Sequence, residues 1–165
     1  MIRTWTPESE APKPGEPASV KELRVWFERL LKMRELIHQQ QERISSLKNA
    51  ATSTTSGTSG APGRSGTSDK VGRNCDAVMD AEQRLNELKC QYAEMQKSAI
   101  DVAYLLNADP VSIKRSRCLI LYFVEGKRQS EIAKSIGYSK PCQVSQAVSE
   151  GLCQLSEIVN ELNLS

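Results

Sequence analysis

Histidine is almost absent from this chain of 165 residues, where His38 stands alone. The cysteines Cys75, Cys90, Cys118, Cys142 and Cys153 contain no C-x-x-C pair, so no zinc-ligand spacing exists. An odd number of widely spaced thiols also argues against a disulfide framework, and a reducing cytoplasm is the expected setting. Aromatic residues make up 5% of the chain and hydrophobic ones 39%, which suits one or two small domains rather than one large core. No apolar run approaches the roughly 18 residues of a membrane span. The opening "MIRTWTPESEAPKPGEP" has no stretch that would serve as a signal peptide. Phosphate-binding glycine motifs are missing too, since the glycines of the central segment have composition without motif context. An enzyme is therefore the weakest reading: His38 lacks a Cys or Ser partner and reads as a surface residue, and no cofactor is implied. The cysteines read as small apolar fillers or surface thiols, with a redox-sensing Cys142 as the sharper alternative.

What the chain does have is helical punctuation. Residues 1–18 are rich in proline and glutamate and read as a mobile tail. Ser19 and Glu22 then give the S-x-x-E pattern of a capping box, in which each side chain satisfies a free backbone donor at a helix start. Leu23, Leu30, Ile37 and Ile44 follow at seven-residue spacing, with Trp26, Met33, Gln40 and Leu47 three residues after each. A second grid has Val78, Leu85, Tyr92, Ala99 and Leu106 in one register and Ala81, Leu88, Met95 and Val102 in the other. Two such stripes predict a coiled-coil hairpin over residues 19–107. On this reading Met33, Met95 and Tyr92 are seam residues rather than a binding surface.

The segment 51–73, "ATSTTSGTSGAPGRSGTSDKVGR", reads as flexible linker. Such a coil spans ~26 Å root-mean-square, which joins adjacent helix ends readily and opposite ends only when stretched, so the hairpin is expected to be antiparallel. Its extra length costs only about 1.5 kcal/mol in closure entropy, so it needs no function of its own. The same slack permits two chains to exchange helices, which leaves a homodimer through the hairpin open.

From residue 108 a different unit begins. Pro110 bars continuation of the preceding helix, which Asn107 would cap, and three helices are expected at about 112–124, 128–136 and 140–162. Gly126 and Gly137 fall at two helix ends, where a left-handed conformation is usual. Ser139 is placed to cap the third helix and Pro141 to occupy its first turn. The apolar set Leu119, Leu121, Phe123, Ile132, Ala133, Ile136, Val144, Val148, Leu152 and Leu155 would pack the three together. The fold class is thus all-α, a long antiparallel helical hairpin followed by a three-helix unit with a helix-turn-helix.

Here "LILYFVEGKRQSEIAKSIGYS" resembles the start of the fourth region of bacterial sigma-70 factors, and "VSQAVSEGLCQL" resembles its recognition helix and continuation. The wider layout over roughly residues 23–158 is similar to a family of regulators encoded by phages and prophages of Gram-positive bacteria. One departure is an extra residue between Gly137 and Val144, accommodated around "SKPCQ". The resemblance implies DNA binding in bacterial transcription, at late phage promoters, with RNA polymerase as a second partner.

The residues make the same case without the family. The chain's net charge of +2 is too small to announce a nucleic-acid partner. Yet from Val111 to Ser149 the bases Lys114, Arg115, Arg117, Lys127, Arg128, Lys134 and Lys140 face only Glu125 and Glu131, while Glu150, Glu157 and Glu161 come later. At the front of the last helix the core does not need Lys140, Cys142, Gln143, Ser145, Gln146 or Ser149. Glutamine suits an adenine edge, so Gln143 and Gln146 are the expected base contacts in double-stranded DNA. Lys127, Arg128, Gln129 and Tyr138 sit at helix starts and in the turn, where phosphates would be met. Two alternatives stay open: a helical interaction module that binds polymerase or a phage partner without reading DNA, and a small terminase-like subunit that recognises packaging DNA.

Overall fold

The structure, a computed structural model, describes residues 19–53 and 67–164. The described residues form helices α1 (Val20–Ser53), α2 (Thr67–Ala103), α3 (Pro110–Leu119), α4 (Gln129–Ile136) and α5 (Cys142–Leu164). A π-helical turn, Ile120–Val124, extends α3. No strand occurs among the described residues, and the fold is all-α with α1 and α2 packed on each other. No described helix is long and apolar enough to cross a membrane. The expected tail at 1–18 lies outside the described residues. The expected linker at 51–73 is helical at both edges, because α1 runs on through Ser53 and α2 starts at Thr67. Adding a turn to an already nucleated helix costs little, which composition alone does not show; the rest of that segment is outside the described residues.

Two compact units divide the chain, one of Met33–Tyr92 and one that takes in the chain up to Lys32 and again from Ala93. In the first, Arg34 Nη2 donates to Tyr92 Oη at 3.0 Å, Gln40 Nε2 to the Ala81 carbonyl at 3.1 Å, and Lys48 pairs with Glu82 at 2.6 Å. Partner numbers run down one helix as they run up the other between Arg34 and Gln40, so the pair is antiparallel as expected. Gln40 and Ile44 are buried, whereas Met33, Ile37, Leu47, Val78, Leu85, Leu88 and Tyr92 are half-buried. Half-burial is what two helices alone provide, since each stripe has one partner. Gln40 puts a polar group at a seam position, and small Ala81 opposite lets its amide reach a carbonyl, which favours this register over neighbouring ones.

The second unit is a fuller bundle. The capping box at the start of α1 forms as expected: Ser19 Oγ accepts from the Glu22 amide at 3.2 Å and Glu22 Oε2 from the Ser19 amide at 2.9 Å. Leu23, Trp26 and Leu30 are buried, and so is Phe27, which the seven-residue grid leaves out. Phe27 lies 5.3 Å from Phe123 and 4.9 Å from Trp26, centroid to centroid. Adjacent Trp26 and Phe27 widen the stripe, as a helix in a globular core requires. Burying Phe27 contributes about 2 kcal/mol, well above the roughly 0–1 kcal/mol of an exposed pair such as Lys48–Glu82.

Helix α2 stops at Ala103, short of Asn107, which is therefore not its cap. Leu105 and Leu106 amides bond back to Val102 and Ala103 in a tightened last turn, and buried Ser116 donates its hydroxyl to the Ala103 carbonyl at 2.8 Å. The tertiary contact from α3 does the work assigned to a local cap. Asp109 caps α3, with Pro110 as its first residue. The run "LILYFV" is apolar all round, and the π turn, seen in the Glu125 amide bonding to the Ile120 carbonyl, lets Leu121, Phe123 and Val124 all turn inward. Gly126 and Gly137 have φ of 64° and 86°, so both positions use the freedom expected of them. Apart from half-buried Ile136, the expected core set is buried, joined by Cys118, Ala147 and Val159.

Gly151, buried mid-way along α5, had no sequence signal. A Cβ built there would lie 3.3 Å from Arg115 Cβ and 3.3 Å from Leu119 Cδ1, so α3 and α5 meet at hydrogen-for-side-chain distance. Replacing Gly151 with leucine is expected to cost about 1–3 kcal/mol through overpacking, read as a lower urea midpoint with an unchanged m-value. An unaltered midpoint would show that the two helices do not need this approach.

Candidate nucleic-acid interface

Helices α4 and α5 start alike. The Arg128 amide donates to Glu131 Oε2 at 2.9 Å, and the Lys140 amide donates to Gln143 Oε1 at 3.1 Å. In both, a side chain three residues in closes the helix start, leaving the long cationic side chain of the cap residue exposed. The start of α5 is thus closed from Gln143 onto Lys140, one residue beyond the Ser139 cap expected from sequence; Pro141, expected in the first turn, immediately precedes Cys142, the first residue of α5.

Val144, Ala147, Val148, Gly151 and Leu152 seat α5 in the bundle. By the 3.6-residue repeat, the opposite stripe carries Cys142, Gln146 and Ser149, with Ser145 on one flank and Gln143 on the other. All five are exposed, as is Lys140. Gln129 Nε2 donates to Ser145 Oγ at 3.3 Å, which brings the first turn of α4 beside the second turn of α5. On the same stripe Arg24 Nη2, from the first turns of α1, donates to Ser149 Oγ at 3.1 Å. Sequence reading had no means of placing Arg24 here, because the contact spans 125 positions.

Of the expected contact residues, Lys140, Gln143, Ser145, Gln146 and Ser149 come together on the α5 front with Arg128 and Gln129 adjoining. Lys127 is exposed and paired with Glu125 at 2.7 Å. Tyr138 is half-buried in the turn, and Cys118 of α3 is buried. Burial pushes the ionisation of both groups up. Tyr138 is partly accessible, beside Gln143 and Gln146 of the α5 front.

The charges sort in the same way. Arg115 is occupied by Glu150 at 2.6 Å and by Gln154 at 3.0 Å. Lys114, Arg117, Arg128, Lys134 and Lys140 are exposed and form no ion pair among the described residues. An open cleft of about 180 Å³ lies beside the front of α5, lined by Val111, Arg115, Tyr138, Gln143, Gln146, Ala147 and Glu150. No group of three or more His, Cys, Asp or Glu that could hold a metal ion occurs among the described residues. Comparison with protein-family models, curated proteins and solved structures finds no match.

Two carboxylates tie this region to pH. Bonds from the Ser112 hydroxyl and amide, then from Val111, hold Asp109 below the usual carboxylate range, and Gln146 and then Arg115 do the same for Glu150. A depressed folded pKa stabilises above the unfolded value of about 4 and is lost as pH falls through the folded one. Thermal melts are expected to be flat from neutrality to about pH 5 and to fall below about pH 4, with a shallower acid limb in Asp109→Ala. An identical acid limb in that variant would remove Asp109 from the account.

Proposed function

We propose that this protein is a sequence-specific DNA-binding regulator of transcription that reads duplex DNA with the front of α5. The supporting observation is the exposed amide-and-hydroxyl stripe of α5 adjoining the cationic starts of α4 and α5. Lys140 and Arg128 precede the two helices with exposed cationic side chains, which suit phosphates. Gln143, Ser145, Gln146 and Ser149 offer donors and acceptors of the kind that base edges accept, and all four are exposed. The resemblance of the same segment to sigma-70 region four supports an activity at promoters, in a phage or prophage regulator.

A second surface favours a protein partner as well. Tyr104, Leu105, Val111 and Ile113 are exposed at 55%, 42%, 56% and 43%, a group of large apolar side chains around the α2–α3 connection. Isolated exposed apolar residues need no explanation, whereas a group in one short stretch suits an interaction site, for which RNA polymerase is the partner the resemblance suggests.

Binding to duplex DNA should weaken linearly on a log-log plot against salt, and Arg128→Ala or Lys140→Ala should each reduce the slope by about one. Changing Lys140, Gln143 and Gln146 together to alanine should abolish promoter activity. A flat salt response, or full activity in the triple variant with partner binding intact, would assign the protein to the interaction-module reading instead.

A further inference from the structure

Gln146 does not stand alone on the α5 front. Its Nε2 donates to Glu150 Oε1 at 2.8 Å, and the other oxygen of Glu150 receives Arg115 Nη2 at 2.6 Å. Arg115 is itself steadied by Gln154 Oε1 at 3.0 Å, and Gln154 donates to Ser112 Oγ at 2.7 Å, which donates to Asp109 Oδ2 at 2.7 Å. The chain of bonds runs from the cap of α3 across to an exposed side chain on α5. Its direction is fixed chemically, because an ionised carboxylate can only accept and a guanidinium can only donate. Gln146 must therefore turn its NH2 group toward Glu150.

Such an arrangement changes what Gln146 can read. A free glutamine amide offers two N–H donors and one oxygen acceptor. With one N–H held by Glu150, one donor and the acceptor remain. Adenine presents one acceptor, N7, and one donor, the N6 amino group, on its major-groove edge, whereas guanine presents two acceptors, N7 and O6. What Glu150 leaves on Gln146 complements adenine, and it lacks the second donor guanine would need. Resting on the DNA-binding reading above, we infer that Glu150, held by Arg115, is a positioning residue that fixes the Gln146 amide to select adenine over guanine.

Glu150 itself needs no contact with DNA for this. Its charge is met by Arg115, so it does not present a bare anion to the phosphates. The cost of ordering a long exposed side chain is met within the folded protein before DNA arrives, and this is where preorganisation raises selectivity.

The test uses the full chain and duplexes selected from a library with a randomised centre. The read position is the adenine whose preference disappears in Gln146→Ala. At that position the unaltered protein should favour adenine over guanine on the order of 10-fold. Glu150→Ala should bring the ratio close to that of Gln146→Ala, with an unchanged salt slope, and should add nothing in the Gln146→Ala background. Glu150→Gln, which keeps an acceptor oxygen, should restore part of the ratio, and thermal melts establish that each variant is folded. If selection yields a binding site and Glu150→Ala keeps the full ratio, or lowers it equally without Gln146, the positioning role is overturned and DNA binding stands. The positioning role likewise fails if no position depends on Gln146. Absence of any sequence preference in the unaltered protein would overturn the DNA-reading assignment itself.

Discussion

The contact between α3 and α5 at Gly151 sets the geometry of the C-terminal bundle. Where a side chain would normally keep two helices apart, Gly151 lets the backbone of α5 come against Arg115 Cβ and Leu119, with Leu106 also near. Drawing α5 in at this point fixes which of its faces is spent on the core and which is left outward. It also sets Arg115 against the residue next to Glu150, within reach of their 2.6 Å ion pair. A glycine in the middle of a helix costs about 1 kcal/mol relative to alanine. Here the cost is set against the packing of fully buried Leu119, Leu152 and Leu155 around it. Each of those side chains contributes about 1.5–3 kcal/mol on burial, which outweighs the propensity term.

Most of the architecture was readable from periodicity, and the reason is local. The heptad stripes, the Ser19–Glu22 box and the glycines at 126 and 137 are set by residues within a few positions of one another, which is the range over which propensity, capping and left-handed turns act. Errors fell where a distant residue decides. Helix α2 ends at Ala103 because Ser116 and the tightened turn satisfy its last carbonyls, so Asn107 has no capping work to do. Phe27 is core because Phe123 lies across from it, and the coiled-coil grid does not contain a third layer. The expected linker edges are helical because a formed helix extends through indifferent sequence more cheaply than composition suggests.

The same distinction applies to the candidate interface. That Gln143, Ser145, Gln146 and Ser149 face outward follows from helical spacing alone, and all four are exposed. What they bond to did not follow. Gln143 closes the start of α5, Gln146 is held by Glu150, Ser145 accepts from Gln129 and Ser149 from Arg24. Tyr138, expected in the turn at the surface, is half-buried there. Composition identifies the groups that can meet a nucleic acid, while neighbours from other helices determine how many of their hydrogen-bonding sites remain.

Division of labour between cations and amides then has a physical basis. Lys114, Arg117, Arg128, Lys134 and Lys140 are exposed and in no ion pair among the described residues. Such cations suit phosphates, which present the same charge at every step of the duplex and ask for no fixed geometry. Amides are the opposite case: a freely rotating glutamine can satisfy several base edges and so distinguishes them poorly. Sequence discrimination needs amide orientation settled by the protein; on α5 amides and hydroxyls are restrained, while the unpaired cations lie on α3, on α4 and just before α4 and α5. Arg115 shows the rule from the other side, because it is the base of this segment most fully engaged by protein partners and its engagement fixes Glu150 rather than offering a charge to solvent.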